Sequence, residues 1–156
     1  MNKGFTLIEV LISITILGIL AAMIGFNRPA TTGVMLFKNQ AQLISVINQA
    51  KAMTLQKFGS TSTCGYGISI ASDLRTYQLI RNDINNGVCP GISNVIQNFI
   101  LDSGLRFSSS FDIIFLGPYL IATSTTPNLS FPWSFAIKSN SGQVVSSTIN
   151  IYGTVY

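Results

Sequence analysis

The sequence contains no histidine, and charged residues make up only 9% of its 156 residues. A typical soluble domain carries about 25% charged residues. Histidine is the commonest general base and a frequent metal ligand, so its absence removes the residue on which most acid–base and metal chemistry depends. The sequence also has no Ser-His or Cys-His constellation and no glycine-rich phosphate loop. We therefore expect no enzyme activity, no metal site and no cofactor.

The basic residues are few and scattered. The net charge of +4 comes from nine basic and five acidic residues, which is a small excess. No run of lysine or arginine resembles a nucleic-acid-binding tract, so nucleic acid is not an expected partner. The nine positions are Lys3, Arg28, Lys38, Lys51, Lys57, Arg75, Arg81, Arg106 and Lys138.

Cys64 and Cys89 are the only two cysteines in the sequence. Two thiols without histidine do not supply the four ligands of a structural zinc site. In an exported domain, an isolated pair is most simply one disulfide. Two unrelated buried thiols and redox chemistry are the alternatives, although the C-x-x-C spacing of redox proteins is absent.

One long apolar run dominates the sequence, from Phe5 to Phe26, and its single charge is Glu9. As a helix, these twenty-two residues are long enough to cross a hydrocarbon core of about 30 Å. Lys3 precedes the run with no acidic residue nearby, which predicts a cytoplasmic N-terminus and an external C-terminal domain. A cleaved secretory signal is the alternative, but Leu20-Ala21-Ala22 lacks the small-x-small pattern that its peptidase requires.

The first eleven residues, Met-Asn-Lys-Gly-Phe-Thr-Leu-Ile-Glu-Val-Leu, form a specific pattern. A short basic leader ends in glycine, then Phe and Thr-Leu-x-Glu open the apolar run. This pattern resembles the class III signal of type IV prepilins and type II secretion pseudopilins. The resemblance implies that a prepilin peptidase cuts between Gly4 and Phe5 and methylates the new amine of Phe5. It also implies that Glu9 acts in assembly, by meeting the N-terminal amine of a neighbouring subunit.

Physical chemistry independently favours that role for Glu9. An acidic residue within a membrane span costs about 2.5–3.5 kcal/mol on insertion scales and is a functional-site hypothesis by default. A pair between a carboxylate and an ammonium of two subunits satisfies both charges and fixes their register. A carboxylate that merely snorkels toward the interface is the alternative. Gly18 also matches a glycine common in the helices of this family.

The chain divides into five segments. Residues 1–4 are the predicted leader, and residues 5–26 the transmembrane and assembly helix. Pro29 and Gly33 predict a kink or a short melted stretch over residues 27–33. Residues 34–58 have helical periodicity, with an apolar stripe that includes Leu36, Leu43, Ile47 and Ala50. Residues 59–156 form the β-rich domain.

The β-rich domain shows strand and turn signals throughout. A hairpin is predicted from residues 65–70 and 76–80, and turns are predicted at 85–87 and 90–91. The aromatic segment 131–135 is predicted to lie in the hydrophobic core. An exposed contact surface is the alternative. The fold class is therefore α+β, a long N-terminal helix packed on an antiparallel sheet, as in pilins. Further strands are predicted at 94–101, 104–108, 111–116 and 133–138. A turn at 140–142 is predicted to lead into residues 144–145 and a last strand at 148–156.

These observations predict a structural subunit, a minor pilin or pseudopilin of a type II secretion pseudopilus or a type IV pilus. Its partners would be other pilin subunits, the prepilin peptidase and the inner-membrane assembly platform. Its location would be the bacterial inner membrane, as a single-pass protein, and then the filament. A major pilin is one alternative. A minor pilin that captures DNA is another, and it would be favoured if Arg75, Arg81, Arg106 and Lys138 converged on one face.

Overall fold

The structure is a computed structural model, and it describes residues 7–26, 28–57, 59, 62–86, 88–124 and 130–156. Two helices come first, α1 (Leu7–Phe26) and α2 (Arg28–Lys57). The chain separates into two compact units, Met1–Val34 and Met35–Tyr156. In the described part of the chain, eight strands follow the helices: β1 (Thr63–Ile70), β2 (Thr76–Asn85), β3 (Val88–Ile100), β4 (Leu105–Phe107), β5 (Asp112–Leu116), β6 (Ile121–Thr123), β7 (Trp133–Ser139) and β8 (Val144–Ile149).

The segment around Pro29 differs from the prediction. Residues 28–33 are helical, because α2 already begins at Arg28, so the melted stretch predicted for this segment is wrong there. Proline is tolerated at the start of a helix, where its missing N–H has no intrahelical partner to lose. Residue 27 lies outside the described residues, and the kink stays a prediction.

The strands of the C-terminal unit form two antiparallel sheets. A five-stranded sheet has the order β3-β2-β1-β5-β6, and a three-stranded sheet has the order β4-β7-β8. All of their pairings are antiparallel. The α+β class with an antiparallel sheet is therefore confirmed, although the strands are divided between two sheets.

The second helix packs its predicted apolar stripe on these sheets. Leu36, Leu43, Ile47 and Ala50 are all buried and belong to the same core cluster as the strand residues. Each fully buried aliphatic side chain contributes about 1.5–3 kcal/mol relative to exposure. The helical spacing of this stripe places its members on the face of α2 that packs on the sheets.

Polar contacts fix the same helix at two points. The buried Thr54 hydroxyl donates to the backbone oxygens of Ala50 and Phe115 and accepts from the amide of Tyr66, at 2.9, 3.3 and 3.0 Å. Nearer its start, Asn39 Nδ2 donates to Asp102 Oδ2 at 3.0 Å, and Lys38 Nζ approaches the same oxygen to 3.1 Å. The hydrogen bond from Asn39 and, to a smaller extent, the one from Lys38 lower the pKa of the Asp102 carboxyl.

The strand predictions are correct where the sequence alternates and wrong at three places. The turn predicted at residues 90–91 lies within β3. The short strand β6 was not predicted. The last strand ends at Ile149, because the Asn150 side chain accepts hydrogen bonds from the amides of Tyr152 and Thr154 and bends the chain. Gly153 completes this turn with φ of +67°, and a Cβ at this position would clash with the Phe115 ring.

The aromatic segment 131–135 packs into the core, as predicted. Phe135 is buried, while Phe131 and Trp133 are partly buried against the core cluster. The Trp133 ring lies 3.8 Å from the Phe111 ring and 5.9 Å from the Phe135 ring, measured between centroids. These contacts connect β7 to the chain just before β5.

A disulfide joins Cys64 and Cys89, with their Cα atoms 5.7 Å apart. It connects β1 to β3, and these two strands flank β2 in the sheet. The bond closes a loop with a sequence separation of 25 residues. For a loop of this length, the chain-entropy model gives a stabilisation of about 3.5 kcal/mol.

Tyr77 carries a buried hydroxyl that makes no hydrogen bond within the described part of the chain. Its side chain is 1% exposed, and its ring stacks on Phe99 with centroids 5.0 Å apart. Burial, with a smaller effect of the nearby Asp102 carboxylate, raises the pKa of Tyr77 to about 12.

We expect Tyr77→Phe to raise the free energy of unfolding by about 1 kcal/mol, because it removes a buried polar group that has no hydrogen-bond partner among the described residues. Above pH 10 the gain should grow. The unfolded tyrosine then loses its proton while the folded one keeps it, so wild-type stability falls as the pH rises toward 12. Urea unfolding followed by the fluorescence of Trp133, at pH 7, 9 and 11, measures both effects. A difference between the two proteins that stays constant from pH 9 to pH 11 would contradict the raised pKa.

Candidate functional site

The candidate site is helix α1, whose side chains are predominantly apolar and exposed. Every residue from Leu7 to Ala22 is exposed. Leu7 is 83% exposed, Leu17 64% and Ile14 65%. Soluble monomers rarely expose a continuous apolar surface of this extent, and such surfaces mark contacts with membranes or other proteins. A shallow apolar groove of about 480 Å³ lies along one side of the helix, lined by Leu7, Val10, Leu11 and Ile14.

Glu9 lies in the first turn of α1. The N-terminus of a helix carries a partial positive charge, which favours a carboxylate at this position. The Glu9 side chain is exposed, on a helix whose other side chains are mainly apolar. The structure therefore presents this carboxylate at the surface, near the beginning of the apolar run.

The hydroxyl groups of α1 bond to the helix itself. Ser13 Oγ donates to the backbone oxygen of Glu9, and Thr15 Oγ1 to that of Leu11, each at 2.8 Å. Such bonds to the carbonyl four residues earlier satisfy a hydroxyl without an external partner. Ser13 and Thr15 are thus compatible with apolar surroundings.

Gly18 leaves one side of the helix open. An added Cβ at this position would meet nothing within 4 Å. Ala21 and Ala22 follow one turn later and are exposed as well. Small residues on an exposed helix face allow the backbone of a neighbouring helix to approach closely.

The structure describes some of the other predicted site residues and not others. Gly4 and Phe5, the predicted cleavage and methylation positions, lie outside the described residues. Cys64 and Cys89 form the predicted disulfide. No helix in the ranges that the structure describes meets the length and hydropathy of a membrane span. The membrane-spanning role of residues 5–26 therefore stays a prediction.

Two of the four basic residues considered for DNA binding are cross-strand partners, and a third lies in the other sheet. Arg106 in β4 and Lys138 in β7 lie directly opposite each other. Arg81 belongs to the other sheet and is paired with Asp83 at 2.9 Å. Neither Arg75 nor Arg81 lines the cavity between Arg106 and Lys138. The register that joins these two residues was not predicted, because they are thirty-two positions apart in the sequence.

Comparison with known proteins identifies the N-terminal segment. Residues 1–25 match the family model described as the prokaryotic N-terminal methylation motif. No curated protein and no solved structure is significantly similar to the chain. The match contains Gly4, Phe5 and Glu9, as well as the first nineteen residues of α1. Residues 1–25 thus carry the class III signal of type IV pilins and pseudopilins, and this signal supports a pilin-like subunit.

Proposed function

We propose that the chain is a structural subunit, a minor pilin or pseudopilin, of a type II secretion pseudopilus or a type IV pilus. The observation that carries this proposal is the exposed apolar helix α1, which begins within the methylation motif and has an acidic residue in its first turn. The role is structural and requires no catalytic residue. Its partners are other pilin-type subunits and the prepilin peptidase.

The first step would be processing of the leader. A prepilin peptidase would cut between Gly4 and Phe5 on the cytoplasmic side of the inner membrane and methylate the Phe5 amine. Residues 5–26 would hold the chain in that membrane, with the C-terminal domain outside the cytoplasm. The run from Phe5 to Phe26, in which Glu9 is the single charge, supports this topology.

The second step would be transfer of the helix from lipid into a filament, with the help of the inner-membrane assembly platform. Both environments are apolar, so the exposed leucine and isoleucine side chains of α1 suit each of them. The Glu9 carboxylate would then meet the Phe5 ammonium of a neighbouring subunit. This pair would fix how far the subunits shift along the filament axis.

The C-terminal domain would be displayed on the outside of the filament. Its disulfide and its buried core, which unites α2 with both sheets, suit a domain that must stay folded beyond the cytoplasm. The N-terminal methylation motif occurs in the subunits of both machines.

Fractionation of the native host tests the proposed location. We expect the wild-type chain in the membrane fraction and in filaments sheared from the cells, because an exposed apolar helix requires lipid or neighbouring helices around it. In a strain that lacks the prepilin peptidase, the chain should stay in the membrane fraction and be absent from the filaments.

A strain that lacks the assembly platform but retains the peptidase is the matched control. It should contain the processed chain in the membrane only. A chain recovered mainly from the soluble fraction, in any of these strains, would contradict the proposal.

A further inference from the structure

Two positive charges face each other on the solvent side of the three-stranded sheet. Arg106 and Lys138 are direct partners in the β4–β7 pairing, and both side chains are exposed. Their neighbours Leu105, Phe107 and Ile137 point the other way, into the core. Side chains of directly opposed residues have Cβ atoms about 4.5–5.5 Å apart, and like charges at this spacing destabilise a sheet.

No carboxylate of the described chain forms an ion pair with either residue. The chain has five acidic residues, and all of them are described. Asp83 pairs with Arg81 and Asp102 pairs with Lys38, while Asp73 accepts hydrogen bonds from the backbone of its own turn. Among the described residues, neither Arg106 nor Lys138 forms an ion pair.

The two cations border a shallow, open cavity of about 320 Å³. Ser108 also lines it, and its Oγ accepts a hydrogen bond from the amide of Ala136 at 3.3 Å, which leaves the hydroxyl hydrogen available. Asn140 adds a carboxamide, another neutral donor. The described residues that line it are Arg106, Phe107, Ser108, Lys138, Ser139 and Asn140, and none of them is acidic.

We propose that this cavity binds the phosphate group of a small anionic ligand, between Arg106 and Lys138. A phosphate monoester carries a charge of about −1.5 to −2 at neutral pH and three acceptor oxygens, so it matches two cations. A carboxylate, with a single negative charge, would leave one of them uncompensated. The planar guanidinium of Arg106 binds two phosphate oxygens at once, while the ammonium of Lys138 acts as a point charge. All residues of the site belong to the C-terminal unit, and the inference does not depend on the proposed function.

Titration with inorganic phosphate tests the site directly. The ¹⁵N-labelled full chain in detergent micelles would be titrated with sodium phosphate, and in parallel with sodium chloride at equal ionic strength. We expect saturable shifts of the amide signals of residues 104–108 and 138–140 with phosphate only. Arg106→Gln and Lys138→Gln should each weaken the response at least tenfold.

Lys57→Gln is the matched control, since it removes one exposed positive charge on α2 and leaves the cavity unchanged. It should retain the wild-type response. The two cavity variants should unfold at the wild-type temperature or above it, because each removes a like-charge contact. A lost response therefore reports lost binding and not unfolding.

Three results would overturn the proposal. One is an equal shift with chloride, and another is an equal loss of the response in Lys57→Gln; both indicate general screening of charge. The third is binding of duplex DNA by a chain that gives no response to inorganic phosphate, because this would indicate an extended polyanion surface. A saturable response to both phosphate and glycerol phosphate, weakened at least tenfold by each cavity variant, would support the proposal.

Discussion

Replacing Glu9 by alanine is expected to leave the chain in the membrane and to lower its incorporation into filaments by at least a hundredfold. Breaking a buried charge pair by removal of one partner costs about 3–5 kcal/mol, because the other charge is left in apolar surroundings. A loss of 3 kcal/mol corresponds to more than two factors of ten in an equilibrium. Insertion into lipid should not suffer, since alanine removes the only charge of the apolar run. Quantitative immunoblots of the membrane and sheared-filament fractions measure both quantities.

Ser13→Ala is the control for this prediction. Ser13 lies one turn after Glu9, and its hydroxyl donates to the Glu9 backbone oxygen, so the change removes a polar contact of the same turn while it keeps the charge. Incorporation of this variant should stay close to that of the wild type. Wild-type incorporation of Glu9→Ala would contradict the assembly role of the carboxylate.

Replacing Gly4 by valine is expected to stop removal of the leader. A β-branched side chain restricts the backbone and adds bulk next to the bond between Gly4 and Phe5, which the peptidase must reach. The chain should then keep residues 1–4 and lack a methyl group on Phe5. It should accumulate in the membrane and be absent from filaments, because no free Phe5 amine is available for the carboxylate of a neighbour.

Asn2→Ala changes the same leader away from the cleaved bond, and we expect normal processing of this variant. The masses of the intact variants distinguish processed from unprocessed chains. Efficient processing of Gly4→Val would show that the cut lies elsewhere, and the assignment of Phe5 as the mature N-terminus would then fail.

The sequence predicts the helices of this fold better than the edges of its sheets. The stripe of Leu36, Leu43, Ile47 and Ala50 is regular over several turns, and the structure buries all four. The turn predicted at residues 90–91 rested on proline and glycine, yet both lie within β3. Because β3 is an edge strand of its sheet, a proline there does not have to interrupt the ladder.

The candidate sites could likewise be predicted from the sequence only where they do not depend on long-range contacts. The methylation motif is contiguous over residues 1–25, and its most specific part, the first eleven residues, is visible in the sequence. The pair of Arg106 and Lys138 arises from the register of β4 and β7, and nothing in the local sequence indicates that register. The burial of the Tyr77 side chain likewise depends on Phe99 and Phe107, whose rings approach the Tyr77 ring only in the folded chain.

The mass of the N-terminal peptide of the chain, purified from host membranes and from sheared filaments, tests the central claim most directly. A pilin-like subunit should begin at Phe5, with one methyl group on its α-amine. A chain that still begins at Met1 in the presence of the peptidase, or one that begins near residue 23 after cleavage by a secretory signal peptidase, would contradict the account.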